Sequence, residues 1–335
     1  MKHTIQTQLG QQRNPKPRNL IFCFDGTWND PSNAYEAGSD ITNVLKLHRL
    51  LVQDNVQQSF YYEGVGTGGD LDKIVGGATG KGANKIRNRA YVDLVENYHP
   101  GDRVFVFGFS RGAAIARMFA GLLHKRGLPE TLRFGAKRGR FKAVGEAKPI
   151  EVTMLGVFDT VASFGIPVDI GINFQQIDLF RDFTVAENVK KAYHLVALHE
   201  GRRTFIPTLM NAEEKVEEIW FPGVHSDVGG GYAQSGISDI ALRYMMDRAG
   251  ELGLRYDPTL AAAVKPNLTD IIHDRVREDW ALRLENRDIH AISGNQKNAV
   301  PPKIHHTVFE RIKRMGLHTP PNLDRLQGRY IVVKD

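Results

Sequence analysis

The chain has 335 residues, 41% of them hydrophobic and 24% charged, with a formal net charge of +6. That balance suits a soluble globular protein of one large or two small domains. No window of about 18 uncharged apolar residues occurs, so no membrane-spanning helix is expected. Cys23 is the only cysteine, which excludes an intrachain disulfide and a thiolate-rich metal site and fits a reducing compartment.

Residues 1–17 are polar, carry no apolar core segment that would read as a secretory signal, and are expected to form a flexible tail. RNLIFCFDG (18–26) is a short apolar run ending in a turn, read as a strand. DITNVLKLHRLLV (40–52) spaces Ile41, Val44, Leu45 and Leu51 as a helix does, with Asp40 as N-cap. QSFYYEG (58–64) reads as a strand. ANKIRNRAYVDLVENYH (83–99) places Ile86, Ala90, Tyr91, Leu94 and Tyr98 on one helical stripe, stopped by Pro100-Gly101-Asp102. DRVFVFG (102–108) is continuously apolar, as a central parallel strand covered on both faces must be. A helix over 112–125 ends near Gly127. A strand (151–160), a helix (185–200), a strand (216–223) and a helix (238–252) capped by Ser238 or Asp239 follow. This alternation predicts an α/β fold: a mostly parallel central sheet of five core strands flanked by helices. The domain is expected to span 18–335, with a C-terminal extension from about 255 wrapping the core.

Two glycine-rich stretches imitate nucleotide sites. GVGTGG (64–69) fits G-x-G-x-x-G through Gly64, Gly66 and Gly69, but more loop follows where a helix should open. GGATGKG (76–82) fails as a P-loop, because Val75 stands where the first glycine is required and Gly82 where Ser or Thr is. Both read as a surface loop, the functional alternative being a loop that closes on substrate. The basic run RFGAKRGRFK (133–142) reads as a solvated loop, or as a contact to phosphate. No zinc-finger spacing, aromatic nucleic-acid signature or repeat occurs, so no nucleic-acid partner and no cofactor are expected.

VFGFSRG (106–112) sets Ser110 between Gly108 and Gly112, after an apolar strand and before a helix. A serine hydroxyl needs a base and an orienting group to become a nucleophile. A sharp strand-to-helix turn projects it outward, and the glycines spare Cβ atoms that would strike neighbouring backbone. In a fold of this kind the partners follow in the order Ser, Asp or Glu, His, at the carboxyl ends of strands. Asp159 ends the next apolar run and His225 lies just past the strand after that. A turn aspartate and a packed loop histidine are the alternative readings. His273 is the best competing base; His305 and His306 come next, while His194 and His199 fall in the expected 185–200 helix as structural residues. Two backbone N–H groups, Arg111 and either Gly26 or Thr27, are expected to form the oxyanion hole. Asp25 is expected to pin the Gly26 loop, and Asp227 to stand behind His225; a metal held by these two aspartates is a weaker alternative, and no metal is expected.

FDGTWN (24–29), GFSRGA (108–113), FDTVAS (158–163) and FPGVHSDVGGGY (221–232), with SDIALRYMM (238–246) and IHHTVFERI (304–312), resemble the type VI secretion phospholipase effector family in its Tle1-like catalytic domain. The likeness runs from about residue 18 to 323. It implies an α/β-hydrolase fold and a Ser-Asp-His triad acting on lipid esters, with those roles on Ser110, Asp159 and His225. A delivered toxin and a housekeeping or defence-related lipase share such a core.

The function expected is therefore a serine esterase acting on a lipid or other acyl ester, with phospholipid as the leading substrate. A non-lipid acyl ester and an inactive binding module are the alternatives. VASFGIPVDIGINFQQIDLF (161–180) is a candidate lid or acyl pocket, and with the basic run suggests peripheral contact with an anionic membrane surface. The expected location is the cytoplasm of the producing cell, with export lacking a signal peptide left open; no immunity or secretion partner can be named.

Overall fold

The structure is a computed structural model that describes residues 4–7, 16–26, 41–64, 79–134, 141–161, 184–202, 205–273, 286–289 and 300–335. In chain order it contains β1 (Thr4–Gln6), β2 (Asn19–Phe24), α1 (Asn43–Leu50), β3 (Gln57–Tyr62), α2 (Thr79–Asn97), β4 (Arg103–Phe109), α3 (Arg111–Arg126), β5 (Leu128–Phe134), β6 (Phe141–Lys148) and β7 (Val152–Phe158). There follow β8 (Ala192–Ala197), β9 (Val216–Phe221), α4 (His225–Gly229), α5 (Gly236–Glu251), α6 (Pro258–Ala262), β10 (Lys303–His305), α7 (His306–Met315), α8 (Pro321–Asp324) and β11 (Ile331–Val333).

Eight strands form one sheet in the order β11-β10-β9-β8-β7-β4-β2-β3, and its neighbours pair in parallel throughout. Successive side chains of a strand point to opposite faces. Leu20, Phe22 and Phe24 of β2, with Val104 and Val106 of β4, meet Tyr91 and Leu94 of α2 and Phe119 of α3. Ile21, Cys23, Phe105 and Phe107 meet Val44 and Leu47 of α1 and Tyr244 and Met245 of α5 on the other face. Both faces are covered, so the central strands carry apolar residues without alternation. Each buried phenylalanine contributes about 1.5–3 kcal/mol. The result is an α/β-hydrolase-like architecture: the alternation of elements predicts its parallel sheet flanked by helices, and the family resemblance implies the hydrolase form.

Several expectations give way. The stretch 185–200 contains strand β8, not a helix: Ala192–Ala197 is buried throughout and pairs with β7 and β9. A strand buried on both faces has no period to announce it. The sheet has eight strands rather than five, because β8 inserts between β7 and β9 and the C-terminal β10 and β11 extend one edge. The segment beyond 255 thus enlarges the sheet rather than merely wrapping it, and Ile304, Val308, Leu323 and Leu326 build a further cluster against Trp220. The N-terminal segment is not wholly a tail: Thr4–Gln6 pairs antiparallel with β5, Ile5 opposite Leu132, in a small sheet ordered β1-β5-β6. The N-cap of α1 is Thr42, whose Oγ1 accepts from Leu45 N at 3.1 Å, in place of Asp40. Ser235 holds the cap position of α5, and Asp239 pairs instead with Lys46 Nζ at 2.9 Å. The basic run joins β5 to β6; its residues 135–140, the loop 65–78 and the lid candidate from 162 to 180 lie outside the described residues. Among the described residues no helix is long and apolar enough to cross a membrane.

Candidate active site

Ser110 lies between β4 and α3 with φ 56° and ψ −123°, a left-handed conformation that costs a non-glycine residue of order 1–3 kcal/mol. The surroundings enforce it. Ser110 N donates to Phe158 O at 3.1 Å and Ser110 O accepts from Val161 N at 3.2 Å, fastening the turn to the end of β7. A Cβ on Gly108 would lie 2.6 Å from Ala113 Cα, and one on Gly112 would collide with the carbonyl oxygens of Phe24 and Asp25. Glycine at both positions lets α3 pack directly on the ends of β4 and β2. Arg111 opens α3, so its N–H has no intrahelical acceptor, and Ser110 provides no side-chain cap. The Arg111 guanidinium is largely buried, its pKa pushed down to about 10 by burial, and it has no hydrogen-bond or ion-pair partner among the described residues.

Asp159 follows β7 with φ 39° and is fully buried. His225 opens α4 just after β9, two strands across the sheet from β7. Their side chains meet: His225 Nδ1 donates to Asp159 Oδ2 at 2.6 Å. This bond fixes the tautomer that leaves Nε2 to accept a proton. Phe109, the residue before Ser110, packs tilted against the His225 ring at 4.6 Å between centroids, and Phe205 meets it edge-on at 4.8 Å. The ring therefore lies against the turn that carries Ser110, although among the described residues no hydrogen bond joins Ser110 Oγ to His225.

Sequence reasoning missed Arg287. Its guanidinium donates to Asp159 Oδ1 at 2.6 Å and Oδ2 at 2.9 Å, and also to Ala197 O and Phe205 O. Burial alone would raise the pKa of Asp159, but the Arg287 charge and the bonds from His225 and Arg287 hold it well below the usual carboxylate range. Burial lowers the pKa of His225, against the raising effect of Asp159, and the Arg287 charge adds to the lowering. Arg287 stands 128 positions from Asp159, in a segment with no periodic pattern, so no sequence signal marks it. Glu200 was missed as well: it is buried, accepts from His225 N at 3.2 Å, and forms a fork with Arg202, which stacks on Phe205 at 3.7 Å.

The other candidates are distributed as follows. Asp25 accepts from Gly26 N at 2.6 Å, Thr42 Oγ1 at 2.7 Å and Tyr61 OH at 2.5 Å, so it does pin the loop after β2. That bond occupies the Gly26 N–H, and Thr27 lies outside the described residues. Asp227 bonds Val224 N at 3.0 Å and His273 Nδ1 at 2.6 Å, tying the His225 turn to His273 rather than touching the His225 ring. His273 thus belongs to a separate pair, stacked on Tyr232 at 3.6 Å. His194 is structural, but in strand β8: Nε2 accepts from Thr160 N at 3.0 Å and Nδ1 donates to Glu218 at 2.8 Å. His199 accepts from Gly223 N at 2.9 Å. Gly229 packs on the Phe109 ring, where any Cβ would collide.

The chain as a whole is similar to known proteins. The chain is 35% identical to the uncharacterized protein YEL023C of Saccharomyces cerevisiae over 231 residues, covering 56% of this chain and 32% of the yeast protein. An uncharacterized protein from Pseudomonas aeruginosa has a similar structure, with TM-score 0.53 and 22% identity over 75% of this chain and 49% of that one. The Tle1 effector bound to the VgrG spike of the type VI secretion system superposes less well, with TM-score 0.41 and 24% identity over 66% of this chain and 52% of the effector. The chain thus spans about a third of the yeast protein and about half of the two structures. The family described as "T6SS, Phospholipase effector Tle1-like, catalytic domain" matches residues 18–147 and 129–248, and the chain belongs to that family.

Proposed function

We propose that this protein is a serine hydrolase of carboxylic esters, with phospholipid acyl esters as its substrate. The observation that carries the reading is the buried His225–Asp159 hydrogen bond, held at the carboxyl ends of parallel strands against the strained turn of Ser110. Ser110 Oγ attacks the ester carbonyl carbon as its proton passes to His225 Nε2. The oxyanion is held by the Arg111 N–H, with the Gly26–Thr27 stretch as the expected source of a second donor. His225 then protonates the departing alcohol, leaving an acyl-serine. Water, activated by the same imidazole, releases the fatty acid. Asp159, kept ionised by Arg287, orients His225 and stabilises its charged form.

The phospholipid part of the reading is supported by family membership and by Arg111. A largely buried cation with no partner among the described residues, carried by the residue next to the nucleophile, is suited to the phosphate of a lipid headgroup. Fatty-acid release from mixed phospholipid vesicles tests the proposal. The wild type should release fatty acid, and Ser110→Ala should lower turnover by about 10⁴-fold or more. Release undiminished by Ser110→Ala defeats the mechanism. A short-chain ester cleaved while vesicles stay intact keeps the triad and defeats the lipid.

A further inference from the structure

We infer that His305, His306 and Asp335 form a binding site for a divalent transition metal of the zinc class, which fastens the C-terminal strand to the sheet. The site shares no residue with the proposed ester chemistry and does not depend on it. His305 ends β10 and His306 opens α7. β11 runs parallel to β10 with Val333 opposite His305, so Asp335, two residues on, is delivered to the two imidazoles. His305 Nε2 lies 3.0 Å from Asp335 Oδ1, and His306 Nε2 lies 3.1 Å from Asp335 Oδ2. One nitrogen from each ring and a carboxylate oxygen all fall within 4.8 Å of one another. Zinc bonds of about 2.0–2.1 Å in tetrahedral geometry put neighbouring ligand atoms about 3.3 Å apart. The two nitrogen–oxygen distances fall within a few tenths of an ångström of that spacing, as a ligand set around one ion requires.

The second observation is what stands behind the rings. A metal-bound histidine usually gives its other nitrogen to a hydrogen-bond acceptor, which fixes the ring and the tautomer. His305 Nδ1 is 2.7 Å from Thr307 Oγ1, and His306 Nδ1 is 2.8 Å from Glu310 Oε1. Both Nε2 atoms are thereby turned to the same side. His305 is fully buried and stacked on Phe221 at 4.2 Å, so its orientation is set by the core. Asp335 is 62% exposed on its side chain, which leaves a solvent side where water completes the coordination. Two imidazoles and one carboxylate favour zinc, cobalt or nickel over calcium or magnesium, which take oxygen ligands. β11 gains most from such a clip: it is an edge strand of three residues with Ile331 and Val332 exposed.

The test strips the whole chain with a chelator and retitrates it with Zn²⁺ by calorimetry and with Co²⁺ by visible absorption. The wild type should bind one equivalent, melt at a higher temperature when loaded, and give the intense bands of tetrahedral cobalt. Asp335→Asn and His306→Gln, both on the solvent side, should each weaken binding at least tenfold. Glu310→Gln should weaken it by about tenfold through the ring it orients. Far-UV circular dichroism identifies any variant that fails to fold, and the remaining one then decides. No binding by the wild type overturns the inference and leaves Asp335 as a hydrogen-bonded clamp. One equivalent bound equally by wild type and folded variants overturns it too, since the ion then sits elsewhere.

Discussion

Arg287 sets the charge state of the pair on which the proposed chemistry rests. It faces Asp159 with two short bonds and lowers the affinity of His225 for a proton. A general base must be neutral to act, so activity falls as pH drops through the pKa of His225. Burial, ahead of the opposing Asp159 bond, lowers that pKa from 6.5. The acid limb of kcat/KM on a soluble ester should accordingly have its midpoint below 6.5. In Arg287→Gln the cation is gone, the imidazolium is less disfavoured, and the midpoint should move up. A purely structural arginine would leave it in place. The same substitution strands a buried carboxylate and should cost about 3–5 kcal/mol in urea unfolding. Arg111 makes a different prediction. Arg111→Gln keeps the backbone N–H, so cleavage of a neutral short-chain ester should survive within a few fold. Hydrolysis of phospholipid should fall by about 10-fold or more, as expected for a lost charged contact of about 1.5–3 kcal/mol. Equal losses on both substrates would remove the phosphate role.

Elements explain which parts of the site are legible in a bare sequence. Ser110 is marked by a strand, two glycines and a helix that are contiguous, and Asp159 and His225 by the ends of their own strands. The physical content of the glycines is the packing of α3 on the end of β2. Gly112→Ala would set a methyl against two backbone carbonyls that cannot rotate away. That variant should lose stability and esterase activity together, whereas Gly121→Ala on the same helix, where a Cβ meets nothing, should keep both. β8 was misread because a strand buried on both faces has no alternation, and its neighbours Val185 and Val189 extend a helix-like spacing. β10 and β11, three residues each, are too short to carry any pattern. Arg287 and Glu200 are legible only in space. What recruits them is the charge of Asp159 and the backbone of His225, not anything in their own neighbourhoods.

Across the whole molecule, burial of titratable groups ties stability to pH. His199, just beyond β8, is pushed down to about 4 by burial and by the charge of Arg311. Its Nδ1 accepts the Gly223 N–H, a bond that the ring makes with that atom unprotonated. Unfolded, the same side chain titrates near its ordinary 6.5. Between those values the unfolded chain binds a proton that the folded chain refuses, so stability falls as pH falls. From pH 7 to pH 5 the loss from this one group comes to about 2 kcal/mol. Asp159 and Glu200, whose folded pKa values are depressed, act in the same direction, but only as pH drops below their ordinary carboxylate values. Asp227, raised chiefly by burial, acts in the opposite sense and above its ordinary value, where the folded chain keeps a proton that the unfolded chain releases. Comparison with His199→Gln isolates His199 from the other groups that titrate between pH 7 and pH 5. Urea midpoints of the wild type should fall more steeply over that interval than those of the variant, by about 2 kcal/mol in total. Parallel curves would mean that His199 takes up its proton inside the folded protein, and that the wall between β8 and the His225 turn admits charge.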